Sequence, residues 1–229
     1  SKTVETYINS NYAQHLKSAP KLIYRGSDSD YFNKKYSPQK NYVDNFFLKF
    51  PNLKNKHLLT FPGRLSSWKG QESFIKLLSD LPTEFAGLIV GPYDSAKPKY
   101  VKELKQLIQN YRLGERIEFY DAINDIRDIY FLSDIVFNLS SKPEPFGRTL
   151  LEAAMMGKKI CGWNRGGAGE VLDICYPEGK VVFGDFKLLS DKVKYLIESE
   201  NVPDNVYLTS DLMHAKTVSF YLDALEDIS

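Results

Sequence analysis

The feature that most restricts the fold is a regular alternation that begins at His57. Short apolar runs, "HLLTFPG", "FAGLIVG", "RIEFY", "DIVFNLS", "KKICGW" and "GKVVFG", take turns with longer amphipathic ones. The longer ones are "QESFIKLLSDL", "PKYVKELKQLIQNYRL", "NDIRDIYFLS", "GRTLLEAAMM" and "FKLLSDKVKYLIES". The first set reads as strands. The second, with apolar positions three and four apart, reads as helices. "FAGLIVG" is apolar along nearly its whole length, which requires burial on both faces. Strands of this kind alternating with helices specify a parallel sheet covered on both sides. The expected fold is α/β, a doubly wound, Rossmann-like parallel sheet over residues 40–205.

Outside that unit the pattern is looser. "TVETYINSNYAQHLK" carries a sparse stripe at Val4, Ile8, Tyr12 and Leu16, which fits a surface helix. Residues 21–24 read as a short strand, and residues 25–39, rich in Gly, Ser and Asp, as a linker. "NYVDNFFLKF" reads as a short helix, residues 169–172 as another, and residues 211–227 as a last one. The chain starts at Ser1 and passes directly into a helical pattern, as expected of a piece of a longer protein.

Bulk properties remove several function classes. A net charge of +1 gives no nucleic-acid or membrane signature. No apolar run approaches the roughly 18–20 residues of a membrane helix, and no secretory signal is present. Cys161 and Cys175 have no CxxC or Cys/His spacing, so they read as buried, inert thiols of a reducing compartment rather than as zinc ligands. His15, His57 and His214 fall in no catalytic or ligand motif. The 15 Tyr and 14 Phe read mostly as core and half-buried surface, and Met155 and Met156 as core.

Ligands of such sheets bind where strands lead into helices at their carboxyl ends. That points to the loops at 62–70, 91–98, 120–124, 140–147 and 163–169. "PGRLSSWKG" supplies Arg64 and Lys69, "SSKPEPFGR" supplies Glu144 and Arg148, and "WNRGGAGE" supplies Arg165 and paired glycines. Cations and glycines gathered on one sheet edge suit an anion. Each loop taken singly is an ordinary glycine turn. "GRLSSWKG" is not a P-loop, and no GxGxxG follows the first strand, so neither phosphate grip applies.

"GRLSSWKG" and "PEPFGRTLLEA" together resemble the retaining glycosyltransferases of family GT4 (glycosyl transferases group 1), which have the GT-B fold. The first is similar to that family's G-R-L-x4-K-G pattern. The second is similar to its E-x7-E pattern, with Glu144 and Glu152 as the two acids. "WNRGGAGEVL" resembles its G-G-x-x-E segment and "YRGSDSDYF" its interdomain linker. The resemblance runs from residue 25 to about residue 172 and identifies the C-terminal, donor-binding domain of a GT-B enzyme. Residues 1–24 are then the remnant of the N-terminal acceptor domain, and the helix in residues 206–229 resembles the family's closing helix.

The resemblance implies roles. Gly63, Arg64 and Lys69 correspond to the grip on the donor diphosphate. Phe146, Gly147, Arg148 and Thr149 start the helix whose amides face phosphates and sugar. Glu144 corresponds to the acid beside the transferred sugar, and Glu152 to the acid that accepts from the ribose hydroxyls. Ala122 and Ile123 correspond to the backbone that meets the nucleobase, although "YDAIND" lacks the usual Gly and does not fix base identity. The implied function is a metal-independent, retaining transfer from a nucleotide-sugar, first of all a UDP-sugar, to a glycan or lipid-linked acceptor. The implied setting is bacterial lipopolysaccharide or polysaccharide synthesis, in the cytoplasm and peripheral at the inner membrane face. No cofactor, metal or nucleic acid is expected. Asp28-x-Asp30 lies in the linker and reads as a turn. Two other readings stay open: a non-catalytic nucleotide-sugar-binding module, and another enzyme of the same fold such as an epimerase or a phosphorylase. The phosphorylase lacks a recognisable pyridoxal-phosphate lysine motif.

Overall fold

The computed structural model describes residues 1–92, 98–121, 125–204 and 206–226. The chain begins with α1 (Lys2–Tyr12), reaches α2 (Tyr42–Lys49) and enters β1 (His57–Pro62). Then follow α3 (Gln71–Ser79), β2 (Phe85–Val90), α4 (Pro98–Asn110), β3 (Ile117–Tyr120), α5 (Ile126–Leu132) and β4 (Ile135–Asn138). The rest is α6 (Arg148–Met155), β5 (Lys159–Trp163), α7 (Gly166–Cys175), β6 (Lys180–Val181), α8 (Phe186–Glu198) and α9 (Ser210–Glu226).

The strands form one parallel sheet in the order β3-β2-β1-β4-β5-β6. This is the doubly wound arrangement expected. Strand β2 shows why the alternating faces need helices on both sides. Ala86, Leu88 and Val90 pack with Phe46, Phe50 and Leu53 on the α2 side. Phe85 and Ile89 belong to the larger core that holds Phe74, Ile75 and Leu78 of α3. A Cβ on Gly87 would lie 2.3 Å from Leu78 Cδ1, so the glycine sets how closely α3 approaches. The chain leaves β1 for β2 on one side and β4 for β5 on the other. Their outgoing loops diverge there, and the crevice of an open α/β sheet forms at such a point.

Some expectations change. Residues 21–24 form no strand. A strand needs a neighbour's ladder for its backbone groups, and among the described residues this region pairs through an isolated bridge between Ser27 and Thr209. The helix expected at 169–172 is longer, Gly166–Cys175, and "GKVVFG" shortens to Lys180–Val181. The exposed aromatics include Tyr7 and Tyr12 on α1 and Phe220 and Tyr221 on α9. Cys161 and Cys175 are buried and unpaired, and burial pushes each thiol up to about 12. Met155 and Met156 are buried.

The stretch 25–39 is pinned rather than loose. The Arg127 guanidinium lies 3.6 Å from the Tyr31 ring centre and 4.4 Å from that of Tyr36. Tyr36 donates to Asp128 at 2.5 Å. Asp28 Oδ1 accepts from the amides of Asp30 and Tyr31, the turn role expected of it.

Helix α1 is fixed to α7 by one acid. Glu170 accepts from the amides of Lys2 and Thr3 at 2.7 and 2.8 Å and from the Thr3 hydroxyl at 2.7 Å. Burial pushes its carboxyl up, but these bonds and one from Tyr24 outweigh burial and leave it below its ordinary value. Its contribution is therefore present above the unfolded Glu value of about 4.3 and is lost as pH falls through the lower folded value. The Lys2 and Thr3 amide resonances should titrate with a midpoint below about 4.3, and Glu170→Gln should abolish that titration. A midpoint above the ordinary Glu value would contradict this assignment.

Candidate donor site at the carboxyl edge of the sheet

The loop after β1 starts at Gly63, whose φ of +153° suits glycine and whose amide donates to Val90 O at 2.7 Å. The Arg64 side chain points into solvent and, among the described residues, makes no ion pair. Its carbonyl is held instead by the buried Gln71 at 3.1 Å, and Gln71 in turn accepts from Tyr100 of α4 at 3.1 Å. Between the two basic residues, Ser66 has a buried hydroxyl without a partner among the described residues. The loop closes at Gly70, with φ +98°, where a Cβ would stand 2.0 Å from Leu139 O. The loop after β1 thus lies backbone to backbone on the loop after β4, and Ser141 N donates to Trp68 O at 2.8 Å.

That contact brings Lys69 to Glu144. Glu144 is 7% exposed. Lys69 Nζ reaches its Oε1 at 2.8 Å and lies 4.5 Å from the Trp68 ring centre. Asn138 Nδ2 donates to the same oxygen at 3.1 Å, and Ser140 Oγ donates to it as well. Three donors therefore converge on one carboxylate oxygen, and the described residues leave Oε2 without a hydrogen-bond partner. The burial cost of an acid is offset by hydrogen bonds and an opposite charge, as it must be.

Gly147 precedes α6, and no side chain caps the helix. The amides of its first turn are thus available to an anion. Phe146 is buried beneath this turn, Thr149 is half-buried, and Arg148 is exposed. One turn on, Glu152 is buried at 8% exposure. It accepts from the Tyr130 hydroxyl at 3.1 Å and pairs with Arg148 at 3.2 Å. Burial pushes its carboxyl up, and the Arg148 charge and the Tyr130 hydrogen bond draw it partly back.

The paired glycines of "NRGGAGE" have a packing reason. A Cβ on Gly166 would meet Glu144 N at 2.7 Å, and one on Gly167 would meet Phe146 Cα at 2.5 Å. Gly167 N donates to Glu144 O at 2.7 Å. Helix α7 is a platform on which the Glu144 loop rests. Arg165, read from sequence as one more edge cation, is spent on that platform: it donates to Ser141 O at 2.5 Å and lies 4.3 Å from the Phe183 ring centre.

The structure therefore joins Lys69 to Glu144 and Arg148 to Glu152, and places Gly63 and Arg64 on the facing loop. Ala122 and Ile123 lie outside the described residues. Among the described residues no cluster of three His, Cys, Asp or Glu could hold a metal. Sequence reasoning passed over Asn138, Ser140, Gln71 and Tyr130. Asn138 and Ser140 had a signal, being polar at the end of an apolar strand. Tyr130, inside an amphipathic helix, had none.

A family model for glycosyl transferases group 1 matches residues 44–209. The chain belongs to this family. It is 33% identical over 177 residues to the uncharacterized glycosyltransferase MJ1069 of Methanocaldococcus jannaschii, covering 75% of this chain and 41% of that protein. Among solved structures, a glycosyltransferase from Rickettsia africae superposes with a TM-score of 0.83 at 26% identity, over 98% of this chain and 62% of that one. Anabaena HepE, solved in complex with UDP-glucose, superposes with a TM-score of 0.76 at 26% identity, over 100% of this chain and 62% of that one. The chain spans about half the length of the curated relatives it matches, 44%, 41% and 55% for the first three. The Rossmann-like sheet flanked by helices is that of GT-B glycosyltransferases.

Two outcomes follow from the loop geometry. Gly70→Ala combines a left-handed backbone with a clash on Leu139 O, and should lower stability by at least about 2 kcal/mol in urea unfolding. In a double-mutant cycle, Lys69→Met and Glu144→Gln should couple favourably by about 1–2 kcal/mol. Lys69→Met alone should cost more than the double variant, because it strands a buried carboxylate.

Proposed function

We propose that this chain is the donor-binding half of a retaining, metal-independent glycosyltransferase. It would move a sugar from a nucleotide-sugar, first of all a UDP-sugar, to a glycan or lipid-linked acceptor. The observation that carries the reading is the Lys69–Glu144 pair at the β1/β4 crevice, beside the uncapped start of α6. A cation, a buried acid and free helix amides in one place suit a ligand that is anionic in its middle and rich in hydroxyls at its ends. HepE, 62% of which superposes on the whole of this chain, was solved with UDP and with UDP-glucose. Assignment to bacterial polysaccharide or lipopolysaccharide assembly rests on the motif resemblance. Among the described residues no helix is long and apolar enough to cross a membrane.

In the ligand-free arrangement Lys69 neutralises Glu144. A diphosphate entering beside α6 competes for Lys69 with two charges against one. Glu144 keeps Asn138 and Ser140, so it stays in place while its charge is released. That freed carboxylate then lies beside the transferred sugar and steadies the positive charge that builds there in an oxocarbenium-like transition state. As the bond from the anomeric carbon to the leaving phosphate oxygen breaks, the electron pair goes to the nucleoside diphosphate. Lys69, Arg64 and the α6 amides hold that growing charge, in the manner of a preorganised anion site. The acceptor hydroxyl forms the new bond on the same face and passes its proton to the departing phosphate oxygen.

Calorimetry of this chain with UDP, GDP and ADP tests the reading. UDP should bind, and Lys69→Ala should weaken it at least about tenfold, as loss of a charge-assisted contact does. In the full-length enzyme Glu144→Gln should reduce transfer by about a hundredfold or more without weakening UDP, because it removes only the acid that competes with the diphosphate for Lys69. Absence of binding to any of the three nucleotides at millimolar concentration would overturn the proposal.

A further inference from the structure

Tyr130 is fully buried at 0% exposure, in the middle of α5. Among the described residues its hydroxyl has one partner, Glu152 Oε2 at 3.1 Å. Its ring faces Phe32 from the 25–39 segment, with centres 6.5 Å apart. A buried hydroxyl costs stability unless it is hydrogen-bonded, and a phenylalanine would fill the same space without that cost. The presence of the hydroxyl is thus explained by Glu152.

The two partners of Glu152 differ in kind. Arg148 pairs with Oε1, but its side chain is 75% exposed. Such an exposed i,i+4 pair holds its geometry weakly and is easily exchanged for another partner. Tyr130 cannot leave. One oxygen of the acid is fixed by a buried donor and the other is held by a displaceable one.

We propose that Tyr130 is the positioning residue of the ribose end: its buried hydroxyl holds Glu152 Oε2, which leaves Oε1 to exchange Arg148 for the ribose hydroxyls of the bound nucleotide. This rests on the donor-site reading above. It adds that ribose recognition depends on a residue that never touches the nucleotide. An ionised carboxylate only accepts, which matches two hydroxyl donors. The groups that act on Glu152 are the Arg148 charge on its own helix and the neutral Tyr130 hydroxyl of α5. Both favour the ionised acid, against burial. Removing the phenolic hydroxyl therefore raises the pH at which Glu152 takes up a proton.

The test is calorimetric titration of this chain and of Tyr130→Phe with UDP and with 2′,3′-dideoxy-UDP, across pH 5 to about 8. The dideoxy nucleotide carries the same phosphates and base, so its titration cancels their pH dependence. Tyr130→Phe should weaken UDP about fivefold, as loss of one hydrogen bond does, and leave dideoxy-UDP unchanged. The acid limb of the UDP-to-dideoxy ratio should move to higher pH, and Glu152→Gln should show no further loss when Tyr130→Phe is added. Equal weakening of both nucleotides, or no weakening of UDP, overturns the inference. Should Tyr130→Phe not fold, 3-fluorotyrosine at position 130 keeps the shape and strengthens the donor. It should move the acid limb to lower pH, and an unmoved limb overturns the inference. Wild-type chain that binds none of UDP, GDP and ADP defeats the donor-site reading instead. Wild-type chain that binds UDP and dideoxy-UDP equally leaves that reading standing and defeats this inference alone.

Discussion

The site depends on three backbone contacts that no side chain could occupy. Gly70 lies against Leu139 O, Gly166 against Glu144 N, and Gly167 against Phe146 Cα. Together they stack the loop after β1 on the loop after β4, and that loop on the first turn of α7. A Cβ at any of these positions would push the loops apart by more than the reach of a hydrogen bond tolerates. The Lys69–Glu144 contact at 2.8 Å is a consequence of this packing. The start of α6 is uncapped because its N-cap is Gly147, where a Cβ would stand 2.9 Å from Ala168 Cα of α7.

On that frame the two acids are supported differently, and the difference matches their proposed tasks. Glu144 sits under three donors that converge on one oxygen, one of them charged. The charged donor is the one that a diphosphate would claim, so a change of ligand changes the electrostatics without moving the acid. Glu152 is buried to a similar degree but has one buried neutral partner and one exposed cation. Its burial pushes its carboxyl up, so its ionisation depends on few groups and responds to each of them.

Much of this was legible in the chain before folding. The alternation from His57 onward dictates the parallel sheet, because strands apolar on both faces have no other stable setting. Lys69, Glu144 and Glu152 stand out because their loops match a known spacing at the strand ends. Other features were not legible. "KLIY" has the composition of a strand, but no free ladder lies beside it. Arg165 has the look of a ligand cation, and tertiary contacts turn it into a brace for Ser141. Tyr130 looks like any aromatic on the apolar stripe of a helix, and only the approach of α6 gives its hydroxyl a partner.

The sequence by itself determined the fold class, the sheet edge that carries the candidate site and the identity of the charged groups on that edge. These follow from local periodicity and from the turn chemistry of glycine, which act over a few residues. The tertiary structure alone decided which charges meet, which acid is buried and which polar side chains hold it. Those outcomes depend on contacts between residues far apart in the chain, such as Lys69 with Glu144 and Tyr130 with Glu152. Burial and pairing exist only once separate strands and helices have been brought to one edge of the sheet.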